Sequence, residues 1–168
     1  MSVAHSLISK YQLQPHPEGG YYRSTYRSPL VLPSSSLPLV FGGERPVSSA
    51  IYFLLEQGDF SAFHRIKSDE CWHFYQGDPL WIHCLDRQGQ YKRYTLGAGS
   101  QADYNYQLVV PAETWFASEP APDAAYSFVG CTVSPGFDFA DLELAGATDL
   151  AAAYPDHQAL IYSRCRLP

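Results

Sequence analysis

The chain has 168 residues, enough for one domain to bury an apolar core without disulfides or a structural metal. Its formal net charge is −6 at pH 7, and its 11 basic residues are scattered, so we expect no nucleic-acid partner. Aromatic residues make up 15% of the chain, a content that favours strands over helices and predicts an all-β fold.

The cysteine pattern and the N-terminus both bear on location. The four cysteines include no CxxC pair, and three of them lie in apolar, strand-like runs. Buried free thiols in a reducing compartment explain this pattern better than disulfides or a zinc knuckle. Residues 1–12 lack the basic and apolar regions of a signal peptide, and no segment approaches 18 uninterrupted apolar residues. We therefore expect a cytoplasmic protein with no membrane partner.

The N-terminal segment predicts a helix followed by an irregular turn. Residues 3–11 carry apolar side chains at helical spacing, which is typical of a short amphipathic helix. Two prolines and two glycines in residues 15–20 then fix an irregular backbone around His16 and Glu18. An ordinary turn and the rim of a pocket explain this segment equally well.

A strand and a long loop follow. Residues 21–27 alternate in the manner of a strand, and Arg23 within it is a candidate for binding an anionic ligand. A surface or inter-subunit ion pair is the alternative for this arginine. Residues 28–46 are rich in proline, serine and glycine, which indicates a long loop.

The rest of the chain reads as short strands that end in helices. Apolar, β-branched and aromatic runs predict strands at residues 47–55, 60–65, 70–76, 80–85, 91–96, 106–110, 114–117 and 126–133. Residues 141–153 are rich in alanine and leucine and predict one or two short helices, with a cap at Thr148 and Asp149. Strands at a spacing near ten residues, with helices only at the two ends, indicate a β-sandwich or a jelly-roll barrel.

Several blocks of this sequence resemble the Cupin_5 group of the cupin superfamily, also called DUF985. The resemblance implies a single cupin domain over residues 1–168, with an RmlC-like double-stranded β-helix and short terminal helices. It also implies a homodimer and a small-molecule pocket inside the barrel. The blocks that carry it are residues 15–23, 63–80, 110–112 and 129–139.

The first cupin motif, G(X)5HXH(X)3-4E(X)6G, is present with one change. Gly58, His64, Glu70 and Gly77 match it, but Ile66 replaces its second histidine. In the second motif, PXG(X)2H, Pro111 matches and Phe116 replaces the histidine, so two of the four expected metal ligands are apolar.

This departure bears on the expected cofactor. One imidazole and one carboxylate compete poorly with water for a transition metal, so we expect no cofactor. A divalent metal would need ligands from another side chain or from a partner subunit.

The resemblance also turns His64 and Glu70 into the barrel. A histidine beside a carboxylate in an apolar cavity suits a general base near neutral pH, because the carboxylate favours protonation and burial opposes it. A satisfied pair left over from a lost metal site is the alternative.

Three hypotheses follow for function. The first is a metal-independent isomerase or epimerase of a sugar or sugar nucleotide, with His64 as base, Glu70 or Asp69 orienting it, and Tyr52 or Tyr126 returning the proton. The second is a non-catalytic protein that binds a small metabolite, and the third is a metal-dependent cupin enzyme.

Six further residues are candidates for substrate binding. Trp72 and Phe116 suit stacking walls, although core packing explains them nearly as well. Lys67 lies between strands, at a pocket mouth or in a plain turn. The full set is His16, Glu18, Arg23, Lys67, Trp72 and Phe116.

Overall fold

The computed structural model describes residues 2–166. Its α-helices are α1 (Val3–Tyr11), α2 (Ala147–Ala153) and α3 (Gln158–Ser163). Its strands are β1 (Gln14–Pro15), β2 (Tyr21–Arg27), β3 (Val31–Leu32), β4 (Arg45–Pro46), β5 (Ser49–Glu56), β6 (Ser61–Arg65), β7 (Asp69–Gly77), β8 (Leu80–Leu85), β9 (Tyr91–Leu96), β10 (Tyr104–Asn105), β11 (Gln107–Val110), β12 (Trp115–Pro120), β13 (Tyr126–Ser134) and β14 (Glu143–Leu144). Within residues 2–166, none of the helices combines the length and apolar character needed to cross a bilayer.

Two six-stranded sheets form a jelly-roll barrel, which confirms the predicted all-β fold with short terminal helices. The first sheet has the order β1-β2-β5-β13-β7-β11 and the second β10-β9-β8-β12-β6-β14. Neighbouring strands are antiparallel, except that β10 runs parallel to β9. The predicted loop of residues 28–46 holds only the two-residue strands β3 and β4 and two 3-10 turns.

The core between the sheets follows from strand alternation. Phe53 and Leu55 of β5 meet Ile82 of β8 and Phe116 of β12 in one buried cluster, and none of the four is more than 2% exposed. Residues two apart point to the same face, so apolar side chains at alternate positions of each strand all enter this interior. Burying each such side chain contributes roughly 1.5–3 kcal/mol.

The N-terminal helix covers the outer face of the first sheet. The side chain of Ser2 caps α1 by accepting a hydrogen bond from the backbone N–H of His5 at 3.2 Å. The buried face of the helix, Ala4 and Leu7, packs on Leu54 and Phe128. The prediction of a helix over residues 3–11 is confirmed.

The C-terminal helices cover the outer face of the second sheet. Helix α2 has Gly146 at its N-cap, so the predicted cap at Thr148 and Asp149 is wrong, and both residues lie inside the helix. Helix α3 lies beyond the segment in which helices were predicted. Both helices pack on this sheet through Leu150 and Ile161.

Candidate functional site

A cavity of about 280 Å³ lies inside the barrel. Alternate residues of β2, β5, β7 and β13 form its walls from the first sheet, and β6 reaches it from the second sheet. Most of its surface is aromatic or aliphatic, and its polar lining includes two histidines and two glutamates, as well as Arg27 and Asp138. We call the two histidines and two glutamates the cavity cluster: His16, Glu18, His64 and Glu70.

Glu18 connects the two histidines of the cavity cluster. Its Oε2 lies 3.4 Å from Nε2 of His64 and 3.6 Å from Nδ1 of His16. The same oxygen accepts a hydrogen bond from the Ser61 hydroxyl at 2.9 Å. Burial raises the pKa of Glu18, although the charge of His16 and the bond from Ser61 oppose that rise.

The turn that carries His16 and Glu18 is held from outside the cavity. Gly20 N donates to Oδ2 of Asp59 at 3.0 Å, and Nε of Arg166 donates to the Glu18 carbonyl oxygen at 2.9 Å. Gly19 has a φ of +116°, and a Cβ there would collide with Arg166 and the Phe60 carbonyl. The PHPEGG segment therefore lines the cavity, as well as making a turn.

His64 is neutral in this environment. Its Nδ1 lies 2.7 Å from the carbonyl oxygen of Ala62, which assigns the ring proton to Nδ1. Burial lowers the pKa of His64, and the charge of Glu70 and the Ala62 carbonyl oppose that change only in part. Nε2 makes no hydrogen bond within the described part of the chain, because its contact with Glu18 lacks hydrogen-bond alignment. Its lone pair is free to accept a proton.

The carboxyl group of Glu70 has a pKa well above its ordinary value. Burial raises the pKa of Glu70 from an ordinary 4.5 to about 7, with the charge of His64 lowering it and the charge of Glu18 raising it. Within the described residues 2–166, both imidazole nitrogens of His64 are more than 4.0 Å from the carboxyl oxygens of Glu70. The two side chains therefore interact by charge at longer range. The nearest carboxylate to His64 is that of Glu18. Near neutral pH Glu70 is therefore about half protonated.

Two of the four ligand positions of the cupin motifs carry apolar side chains. Ile66 lines the cavity at the position of the second histidine of the cupin motif. The ring of Phe116 packs against that of His64, with the ring centroids 4.1 Å apart. Residues 2–166 contain no group of three or more His, Cys, Asp or Glu side chains arranged to hold an ion. A metal held by fewer protein ligands would bind weakly.

The structure brings five of the predicted site residues together. His16, Glu18, His64, Glu70 and Trp72 all border the cavity. The histidine and glutamate of the PHPEGG segment thus join the pair taken from the first cupin motif.

Four predicted site residues lie away from the cavity. Tyr52 packs against Tyr11 and Phe128 on the opposite face of β5, because it alternates with Ile51 and Phe53. Its side chain is therefore not placed to return a proton to a ligand, contrary to the expectation from the sequence.

Arg23 alternates with Tyr22 in the same way and donates a hydrogen bond to Gln12 at 2.6 Å, outside the barrel. Lys67 pairs with Asp141 at 3.3 Å and does not border the cavity. Phe116 stands behind His64 and supports its ring instead of forming a wall.

Sequence reasoning missed most of the aromatic wall. Tyr22 and Phe53 line the cavity from β2 and β5, and strand alternation alone would have identified them once one inward residue was known. Phe137 and Phe139 line the cavity from the segment after β13, and their ring centroids are 5.1 Å apart. The resemblance already covered that segment, but no chemical feature marked these two residues.

Comparison with known proteins finds a matching family model and relatives from several organisms. The family model Cupin_5, described as Cupin superfamily (DUF985), matches residues 5–145. A crystal structure of a protein from Shewanella oneidensis is 38% identical, covers 100% of both chains and has a TM-score of 0.89. A hypothetical protein from Leishmania major is 35% identical over 99% of this chain and 100% of its own, with a TM-score of 0.89. An uncharacterized protein of Saccharomyces cerevisiae is 30% identical over 83% of this chain and 74% of its own length.

Proposed function

Because this chain belongs to the Cupin_5 family of the cupin superfamily, we propose that its barrel cavity binds a small molecule and transfers a proton within it. The reaction class is a metal-independent isomerisation or epimerisation of a sugar or sugar nucleotide. One observation carries the proposal: a neutral imidazole with an unbonded Nε2 shares an enclosed cavity with a carboxyl group whose pKa is about 7. Groups with such values are suited to acid and base catalysis near neutral pH.

The steps follow from this placement. His64 Nε2 takes a proton from the carbon next to a substrate carbonyl, and the C–H electron pair moves to form an enol. Protonated Glu70 donates its proton to the carbonyl oxygen in the same step. The carboxyl oxygen of Glu18, 3.4 Å from Nε2, faces the imidazolium that forms. In an isomerisation, His64 then gives the proton to the former carbonyl carbon while Glu70 takes the proton of the hydroxyl on the adjacent carbon, so that the carbonyl moves to that adjacent carbon.

The walls suit a ring of modest size. Phe53, Trp72 and Tyr22 offer aromatic surface to the faces of a sugar ring, and the volume of about 280 Å³ accommodates one such ring. A larger ligand, such as a nucleotide, would extend past Arg27. This arginine lines the cavity and donates a hydrogen bond to the carbonyl oxygen of Phe137.

Exchange of substrate protons with deuterated solvent tests the proposal. A panel of keto-sugars and aldo-sugars is incubated with the protein in D2O, and loss of the proton next to the carbonyl is followed by NMR. We expect the exchange rate to fall by about 10²-fold or more in His64→Gln, in line with the usual contribution of a general base.

His83→Gln is the matched control, because His83 is also buried and also contacts a glutamate, but does not border the cavity. Folding of both variants is checked by thermal unfolding. Saturable binding of a sugar without any exchange would instead favour a non-catalytic binding protein. Exchange that persists unchanged in His64→Gln would refute the assignment of the base.

A further inference from the structure

His16 is the one member of the cavity cluster that has no role in the proposed reaction. Its side chain is only 6% exposed, and its Nδ1 accepts a hydrogen bond from the backbone N–H of Glu18 at 3.3 Å. Because Nδ1 accepts, it carries no proton, and the ring proton of neutral His16 is assigned to Nε2. Burial lowers the pKa of His16, although the charge of Glu18 opposes that change, so the neutral form is favoured near neutral pH.

The Nε2–H of His16 is available to a ligand. Within residues 2–166 it makes no hydrogen bond, yet it retains accessible surface, unlike the fully enclosed Nε1 of Trp72. The rings packed around the imidazole are those of Tyr22, Phe53 and Phe139, with centroids 4.5 Å, 6.0 Å and 6.1 Å away. All three of these residues line the cavity, as His16 does, so the accessible part of the imidazole opens into it. The surrounding rings also fix the orientation of this donor.

His16 and His64 hold their ring protons on opposite nitrogens. The Ala62 carbonyl oxygen, 2.7 Å from Nδ1 of His64, keeps the proton there and leaves the lone pair on Nε2. The backbone N–H of Glu18 imposes the opposite arrangement on His16. The same Glu18 oxygen lies 3.6 Å from Nδ1 of His16 and 3.4 Å from Nε2 of His64. The cavity thus presents one imidazole donor and one imidazole acceptor around a single carboxyl group.

We propose that the Nε2–H of His16 donates a hydrogen bond to a hydroxyl oxygen next to the carbonyl group of the ligand, which makes the substrate an α-hydroxy carbonyl compound. The inference rests on the proposed function and deepens it. In the isomerisation that hydroxyl oxygen becomes the new carbonyl oxygen, and a neutral imidazole N–H stabilises the negative charge that develops on it as Glu70 takes its proton. Epimerisation at the same carbon requires no change at this oxygen, so His16 favours isomerisation over epimerisation.

NMR of the imidazole nitrogens tests the donor directly, because the chain has only six histidines. Long-range proton–nitrogen spectra at pH 8 show which ring nitrogen carries the proton, and His16→Gln assigns the His16 signals. We expect the proton of His16 on Nε2 and that of His64 on Nδ1. The ligand probes are 2-hydroxycyclohexanone and cyclohexanone, which differ only in the hydroxyl next to the carbonyl. The Nε2 signal of His16 should move downfield with the millimolar hydroxy ketone and much less with the ketone. A proton on Nδ1 of His16, or equal movement with the two probes, would overturn the proposal.

A binding measurement gives an independent readout. His16→Leu removes the donor, so we expect the affinity for 2-hydroxycyclohexanone to fall about threefold to tenfold, whereas His16→Gln keeps an N–H near the same place and should stay within about twofold of the parent chain. The affinity for cyclohexanone controls for altered packing and should be alike in the two variants. His73→Leu, outside the cavity, is the matched control, and thermal unfolding checks the folding of all three.

The two variants separate a donor from a merely structural histidine. A hydroxy ketone affinity that falls equally in His16→Leu and His16→Gln, or in neither, would contradict the donor role. The predicted pattern of affinities without any proton exchange would support the donor role and count only against the catalytic proposal.

Discussion

Two clusters in this molecule join a histidine to a glutamate, and they differ in what surrounds the pair. The outer cluster, formed by His83, Tyr91, Glu119 and Arg164, lies on the outer face of the second sheet. There His83 Nε2 contacts Glu119 Oε1 at 3.0 Å, and its Nδ1 contacts the Tyr91 hydroxyl at 2.8 Å. Arg164 donates to the other oxygen of Glu119 and neutralises its charge. In the outer cluster an arginine therefore compensates the charge of the carboxylate.

The cavity cluster lacks that compensation. Within residues 2–166, no lysine or arginine lies within 4.0 Å of the carboxyl oxygens of Glu18 or Glu70. The pKa directions follow: burial raises the pKa of Glu70, whereas at Glu119 the hydrogen bonds from His83 and Arg164 outweigh burial and lower the pKa. The same two residue types thus occur with a raised carboxyl pKa in one place and a lowered one in the other, according to whether an arginine completes the pair.

The largest effect is expected from Glu70→Gln. The folded-state pKa of Glu70 is raised from 4.5 to about 7, so its stabilising contribution is complete below about pH 4.5 and is lost as the pH rises through 7. Glutamine does not ionise and escapes this loss. Between pH 4.5 and pH 8, the variant should gain about 3 kcal/mol in unfolding free energy relative to the parent chain, as measured by urea denaturation. A difference between the two proteins that does not change with pH would contradict the raised pKa.

The same substitution at Glu119 should have the opposite sign and a smaller size. The pKa of Glu119 is lowered on folding, so its contribution is present above the unfolded value of 4.5 and is lost as the pH falls through the folded value. Glu119→Gln should therefore lower the unfolding free energy by about 1 kcal/mol at pH 8, an amount limited by partial contact with solvent. Urea denaturation of the two glutamine variants, side by side, measures both signs. If Glu119→Gln also stabilised the chain at pH 8, the contrast between the clusters would fail.

The smallest effect on stability is expected from Arg166→Gln. The Arg166 side chain is 43% exposed where it contacts Asp59, so its loss should cost less than about 1 kcal/mol. Its removal should nevertheless loosen the turn that carries Glu18 and speed hydrogen exchange of the Gly20 amide several-fold. Arg93→Gln is the control, since Arg93 stacks on Trp81 and does not contact the turn. Equal exchange rates in the two variants would show that Arg166 does not hold the turn.

The fold could be predicted from the sequence because its signals are local and repeated. The strand at residues 21–27, the strand at 80–85 and the helix at 3–11 were predicted with the bounds that the structure shows. The start of α2 was predicted wrongly because Thr148 and Asp149 are good capping residues, yet Gly146 is the N-cap and the helix begins at Ala147. The position at which the helix begins depends on the packing of Leu150 against the second sheet. The local sequence does not show this packing.

The candidate site was predicted less completely, for two physical reasons. The cupin motif identified His64 and Glu70, but the contact of Glu18 with His64 depends on a turn that Asp59 and Arg166 hold across long stretches of chain. Tyr52 was predicted to face the ligand because its hydroxyl suggested chemistry, whereas the face of a strand residue depends on register. The homodimer, the cytoplasmic location and the expectation of no nucleic-acid partner stay predictions.

The protonation of Glu70 is the most direct test of the account. Infrared difference spectra between the parent chain and Glu70→Gln isolate the C=O stretch of this one carboxyl group as the pH is raised from 4 to 9. The account predicts a protonated band at pH 6 that disappears with a midpoint near pH 7. A midpoint near 4.5, the ordinary value for a glutamate, would contradict it.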